Sequence, residues 1–470
     1  MSGAYLVPKA MKGQVDISQL EAAARRLLPA TRPVAPLRDE KRKAKASRDL
    51  PPCQEWVLDS GLRIMHRERG HSHLVSAQVC VQGGLRMEIG DPLFSAEKDW
   101  GVSQCLAMTW NKGTPALSAR EIARRIEGRA ASLDGFSGRN TIGLQMTSLA
   151  RDFGELQPLF DDVLVGANFP ADEVGHSRRV MEESIRTVED HSSQLCSRLF
   201  LEALYEEHPY RRAAHGSLES LAGLDTAKLH AYLAHWLRPE RAIVSVVGRI
   251  SRPAVESWVE ELDRRWATAF TGAARRPIRE SLASEAALKG PRWVEKRLGR
   301  EQVHIIVGGL GSTIHGADRD AIRLMHTILG GQSGRLFIEL REKQGLAYTV
   351  SPIGFEGVER GYQGVYIACS PEKEKRAVEG IHGVLKRLAE RGPSAEEMKR
   401  AREYFLGRRA MDLQSDSSLA NYYGLERVYG LEPRGDEQSR RRIEAVTARQ
   451  VQETCRRYLV DAHLVTAVVG

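Results

Sequence analysis

The chain of 470 residues carries 69 Lys and Arg against 61 Asp and Glu, with 42% hydrophobic and 28% charged residues. That length exceeds what one hydrophobic core fills, and that composition excludes a fibrous or largely disordered chain. The formal charge of +8 does not argue for a nucleic-acid partner, because residues 1–50 alone hold 11 Lys and Arg against 5 Asp and Glu and the remainder is nearly balanced.

The basic leader predicts one helix over VDISQLEAAARRLLP, with Asp16 and Gln19 at capping-box spacing, Leu20, Ala24 and Leu27 on one face and Pro29 as a stop. Asp16 and Glu21 inside it argue against an organelle transit peptide, which is poor in acids. RPVAPLRDEKRKAKASRDLPP then reads as a linker, so folded structure is expected from about Trp56. No apolar run approaches the roughly eighteen residues that span a bilayer, and the opening MSGAYLVPKAMKGQ lacks a secretory apolar segment. The expected compartment is the cytoplasm, with no membrane partner. Cys53, Cys80, Cys105, Cys196, Cys369 and Cys455 are scattered without a CxxC pair and read as free, mostly buried thiols.

Sliding the chain against itself exposes an internal repeat. LAGLDTAKLHAYLAHWLRPERAIVSVVG at 221–248 aligns without a gap on IEAVTARQVQETCRRYLVDAHLVTAVVG at 443–470, so a helix followed by a buried strand closes each half. The openings correspond loosely, VSAQVCVQGG at 75–84 with VHIIVGGLG at 303–311, each a strand running into glycines. AREIARRIEGRAASLD and AEEMKRAREYFLGRRAMDLQ are expected as long helices. The fold class that follows is α+β: two homologous domains, each a mainly antiparallel sheet packed with helices, joined by a linker. The expected boundaries are a leader and linker at 1–53, a first domain at 54–250, a connection at 251–295 that is rich in charge and contains Pro277 and Pro291, and a second domain at 296–470.

GVSQCLAMTWNKGT at 101–114 has helix periodicity after the first strand region, and here a resemblance becomes specific. It is similar to the pitrilysin/insulinase-type helix GxxHxxEHxxxxGT, whose inverted HxxEH supplies two zinc-binding histidines and a carboxylate base. At those places this chain has Gln104, Ala107 and Met108. The family's further zinc-binding glutamate, on a helix of the form VxxEExxxxE, falls on Ser184 in VMEESIRTVED, beside Glu183. An amide is a poor zinc donor, a thioether prefers softer ions, a serine offers no carboxylate and an alanine takes no proton from water. GGQSGRLFIELREKQGLAYTV at 330–350 resembles the family's second-domain signature and is the strongest match, placing Arg341 and Tyr348 seven residues apart.

The resemblance implies a clamshell half. Arg341 and Tyr348 would hold the substrate backbone and the oxyanion, with no metal or cofactor in this chain. The zinc would belong to a homologous HxxEH-bearing partner, the two chains closing a chamber on a peptide substrate. The alternative is a scaffold of the same fold with no role in proteolysis; an independent metallopeptidase would need other ligands, and the leader and the Glu182/Glu183 pair are the features that leave it open. Among competing motifs, VGGLGS and LGGQSG lack the Lys-Ser/Thr of a phosphate loop, and GQSGR has Arg335 where a nucleophile elbow needs glycine. His71, His73, His304 and His326 form no ligand set of known spacing.

Overall fold

A computed structural model describes residues 53–88, 99–270 and 282–470. The leader helix expected over 15–29 and the linker behind it lie outside the described residues.

In chain order the first half runs β1 (Gln54–Val57), β2 (Arg63–Glu68), β3 (Leu74–Gln82), α1 (Val102–Thr109), α2 (Ala119–Glu127), β4 (Ser132–Ser137), β5 (Thr141–Leu149), α3 (Phe153–Gly166), α4 (Ala171–Asp190), α5 (Ser192–Leu204), α6 (Leu218–Ala222), α7 (Thr226–Trp236), β6 (Ile243–Gly248) and α8 (Arg252–Ala269). The second runs β7 (Arg292–Lys296), β8 (Val303–Leu310), α9 (Arg319–Leu329), a π-helical segment (Phe337–Lys343), β9 (Thr349–Phe355), β10 (Tyr362–Cys369), α10 (Glu374–Arg391), α11 (Ala395–Asp412), α12 (Asp416–Val428), α13 (Asp436–Ala445), α14 (Ala448–Leu459) and β11 (Val465–Val469).

The strand orders are β1-β2-β6-β3-β5-β4 and β7-β11-β8-β10-β9. With β1 set aside, the two sheets share one topology. Each starts with a parallel pair, Arg63 opposite Ile243 in one and Arg292 opposite Val465 in the other, and continues antiparallel. The fold is therefore the mixed α+β arrangement expected, and both half-endings are a helix leading into a buried strand, α7 to β6 and α14 to β11.

Strands IVSVVG and VTAVV are buried along their whole length, which requires cover on both faces of each sheet. On one face the first sheet meets a core that includes Trp110, Phe160, Trp236 and Trp266, and the second meets one that includes Leu324, Met325, Ile381 and Leu385. The other faces are covered by exchange. Helix α5 of the first half lays Leu195, Phe200 and Leu204 on Ile306, Val465 and Ala467 of the second sheet. Helix α12 of the second half lays Leu419, Ala420 and Tyr423 on Met65, Ile243 and Val247 of the first. Residues 51–470 consequently form one compact unit.

Two expected segments differ. Residues 252–269, read as the start of the connection, are helix α8, whose Val255, Trp258, Leu262 and Trp266 are buried in the first core. The charges between those positions mask a stripe at helical spacing. The long helix expected over 119–134 stops at Glu127, because Ala130 takes a left-handed φ of 49° and turns the chain into β4.

Candidate functional site

Helix α1 carries three of the four positions matched to zinc ligands and base. Its first turn is set by a buried carboxylate: Glu88 accepts from the backbone N–H groups of Gly101 and Ser103, each at 2.9 Å, and from the Ser103 hydroxyl. Anionic charge at a helix N-terminus is favourable. Burial nevertheless pushes the Glu88 pKa up, more than those hydrogen bonds pull it down. Gly101 adopts φ 96°, and an added Cβ there would meet Gly216 at 3.1 Å, so the turn into α1 requires glycine. At the far end Trp110 is fully buried and donates through Nε1 to the Val163 carbonyl at 3.1 Å.

Along α1, Gln104 and Met108 are half-buried one turn apart and Ala107 is buried. Helix α4 lies against α1, joined by the Thr109 hydroxyl donating to Ser177 Oγ at 3.1 Å. Ser184 sits two turns farther along α4, and its hydroxyl donates to the Val180 carbonyl of its own helix at 2.9 Å. Neighbouring Ile185 and Met108 both pack against the first core. Glu182 is half-buried and Glu183 exposed. Cys105 faces inward, and burial pushes its thiol up to about 11, so it stays protonated at neutral pH and offers no thiolate. Among the described residues no group of three His, Cys, Asp or Glu side chains is placed to hold a metal. An amide, a methyl group, a thioether and a hydroxyl already bonded to its own helix do not fit a zinc ion.

Arg341 and Tyr348 have been brought together on the second half. The chain winds wide at 337–343, with Gln344 N–H donating to the Glu339 carbonyl at 3.2 Å and Leu346 N–H to the Leu340 carbonyl at 2.8 Å. Such widened turns recur at functional sites. Leu340 and Leu346 anchor the turn in the second core. The Arg341 guanidinium lies 4.8 Å over the Phe337 ring and 5.5 Å from the Tyr348 ring, and Tyr348 is 75% exposed. No described carboxylate pairs with Arg341. Arg335, in the same signature, is occupied differently: it pairs with Glu397 at 2.7 Å and donates to the Gly392 carbonyl at 2.9 Å. One arginine holds helices together and the other presents its donors to solvent.

A buried ionic cluster between the halves has no sequence signal. Arg86 Nε donates to both oxygens of Glu359, at 2.9 and 2.8 Å; His208 Nε2 lies 3.2 Å from Glu359, and the Leu282 N–H donates to it at 3.1 Å. Arg86 is 1% exposed and Glu359 7%. Burial pushes the Glu359 carboxyl up, but the hydrogen bonds from Arg86, His208 and Leu282 and the charge of Arg86 together hold it at about 2.

Comparison with known proteins agrees with this architecture. The chain is similar over residues 223–405 to the family described as Peptidase M16 inactive domain. It is 27% identical over 415 residues to a protein named an uncharacterized zinc protease from Mycobacterium tuberculosis, covering 88% of this chain and 92% of that one. A Bacillus subtilis protein named in the same way is 24% identical over 376 residues, covering 79% and 87%. Among solved structures, a peptidase M16 inactive domain from Pseudomonas fluorescens superposes with a TM-score of 0.79 at 22% identity, over 89% of this chain and 98% of that one. A protease from Helicobacter pylori gives 0.77 at 17% identity, over 89% and 99%. Among the described residues no helix is long and apolar enough to cross a membrane.

Proposed function

We propose that this chain is the non-catalytic, substrate-clamping subunit of a two-chain cytoplasmic zinc peptidase, in which a homologous HxxEH-bearing partner supplies the metal. The observation that carries the reading is the contrast between the two sets of motif positions. Gln104, Ala107, Met108 and Ser184 are electrically neutral and buried or half-buried, whereas Arg341 and Tyr348 are held side by side with their polar ends outward. A guanidinium steadied by two rings keeps its fork of donors for a peptide carbonyl, and a phenol beside it donates to an oxyanion forming on that peptide. This chain's residues would then bind and orient, and the water-activating chemistry would lie across the chamber.

The test is peptide cleavage in the presence of zinc by this chain, by the HxxEH partner, by the pair, and by the pair carrying Arg341→Ala or Tyr348→Phe. Cleavage only by the intact pair, falling about 100-fold or more in each variant, is the expected result. A pair unaffected by both variants makes this chain a scaffold, and cleavage by this chain alone overturns the reading of α1. A companion experiment restores the four positions together, Gln104→His, Ala107→Glu, Met108→His and Ser184→Glu. One zinc retained through gel filtration is expected; none would mean that α1 and α4 do not superpose on the zinc-binding helices.

A further inference from the structure

Away from the Arg341 and Tyr348 pair, helices α9, α11 and α12 and the turn before α13 enclose a cavity of about 320 Å3 lined by five arginines, Arg319, Arg323, Arg408, Arg409 and Arg434. Three carboxylates line it with them, Asp320, Asp412 and Glu426, leaving a surplus of two positive charges on the wall. Four of the guanidiniums have acidic partners. Arg319 pairs with Glu356 at 2.5 Å and Glu426 at 3.2 Å, Arg323 with Glu356 at 2.8 Å, Arg408 with Asp412 at 2.9 Å and Arg434 with Asp320 at 3.3 Å.

Arg409 is the exception among the described residues. Its Nη2 donates to the Arg434 carbonyl at 2.8 Å, its plane lies 4.7 Å over the Tyr422 ring, and its Nε is buried with no hydrogen-bond partner. Stacking on an aromatic face fixes the orientation of a guanidinium without neutralising it. Asp320 cannot turn to it, being engaged by Arg434 and by Arg442 at 2.9 Å. A preoriented, uncompensated guanidinium in a cavity with excess positive charge is a receptor for an oxyanion, which accepts two parallel N–H bonds from one arginine.

We infer that this cavity binds a small oxyanion carrying two or more negative charges, of the phosphate or polycarboxylate class, with Arg409 as its principal contact. Because Arg319 and Arg323 come from α9, Arg408 and Arg409 from α11, and Tyr422 and Glu426 from α12, the bound anion ties three helices together. One of these, α12, also covers the sheet of the first half. Occupancy therefore slows opening of α12 and stiffens the joint between the halves.

The experiment is calorimetric titration of the full chain with inorganic pyrophosphate and with citrate at fixed ionic strength, sodium chloride serving as the screening control. It is paired with amide hydrogen exchange over 416–428. Saturable binding of either anion is expected, weakened at least tenfold in Arg409→Gln, with slower exchange in α12 on binding. Arg408→Ala is the second variant, since an exposed side chain at the cavity mouth is removed without loss of core; the freed Asp412 carboxylate is expected to weaken binding about threefold or more. No saturable heat with either anion, or affinity unchanged in both variants, overturns the inference.

Discussion

The two exchanged helices occupy equivalent places in the repeat but cover their sheets by different chemistry. Helix α5 meets the second sheet mainly through apolar side chains, and strand glycines make room for it: a Cβ on Gly308 would lie 3.0 Å from Phe200. The polar contacts are fewer: the Cys196 thiol donates to the carbonyls of His304 and Ala467 at 3.3 and 3.4 Å, Arg292 of β7 to the Ala203 carbonyl at 2.7 Å, and Arg300 to the Ser192 hydroxyl at 3.0 Å. Helix α12 meets the first sheet through a mixed surface. Arg67 donates to the Tyr423 hydroxyl at 2.6 Å, Gln78 to Asn421 at 3.3 Å and Gln82 to the Val428 carbonyl at 3.2 Å, while Arg427 grips Glu55 at 2.7 to 2.9 Å. Arg67 Nε and Nη2 have no partner among the described residues. Water competes for polar contacts and not for apolar ones, so the joint made by α12 is expected to open more readily.

The largest expected effect breaks the apolar side of this comparison. Phe200→Ala removes a ring that is 1% exposed and leaves a cavity against two glycine-bearing strands; a loss of about 3–5 kcal/mol in urea unfolding is expected. If the loss stays below about 1 kcal/mol, the apolar joint does not hold the halves together. Next comes the ionic cluster between the halves. Glu359→Gln removes the carboxylate that faces the buried Arg86 guanidinium and is expected to cost about 3 kcal/mol at neutral pH. The pH dependence has a definite sign. With its carboxyl held at about 2 against an ordinary 4.5, Glu359 contributes fully above 4.5 and its contribution disappears as pH falls through 2. Wild type should lose stability steeply across that acid window, and Glu359→Gln should follow a flatter course.

What the sequence made legible follows from range. The helix and strand that close each half were visible because their periodicity and cores are local, and the turn carrying Arg341 and Tyr348 because its signature is contiguous. Helix α8 was missed because Glu, Asp and Arg between Trp258 and Trp266 outweighed the stripe they flank. The exchange of α5 and α12 carries no local mark, since an amphipathic helix does not specify which sheet it will cover. Arg86 and Glu359 are 273 residues apart, and neither has a neighbour in sequence that hints at the other. The sequence pointed to α1 through its glycines, yet not to Glu88 as the group that sets its first turn, because Glu88 lies thirteen residues ahead of Gly101 and no capping motif links the two.

A smaller effect sharpens the polar side. Tyr423→Phe deletes the one described acceptor of the buried Arg67 guanidinium while keeping the ring on the sheet, for an expected cost of about 1–3 kcal/mol. Its signature is kinetic as well as energetic. Amide exchange should quicken in α12 and remain unchanged in α5, because the substitution touches one joint only. Equal acceleration in both helices would show that the halves open as a unit and that the difference in chemistry has no mechanical consequence.

The smallest effect on stability is expected where the largest effect on activity is proposed. Arg335 and Arg341 lie six positions apart in one signature, but Arg335 is tied to Glu397 and the Gly392 carbonyl, so Arg335→Ala should cost about 1–2 kcal/mol. Among the described residues the Arg341 guanidinium meets the Phe337 and Tyr348 rings and pairs with no carboxylate, so Arg341→Ala should lower stability by less than about 0.5 kcal/mol. That difference separates function from folding. If Arg341→Ala leaves stability untouched and abolishes cleavage by the pair, the loss belongs to a contact with substrate or partner. If Arg341→Ala destabilises as much as Arg335→Ala, the guanidinium is a structural group and the exposed pair has no clamp to offer.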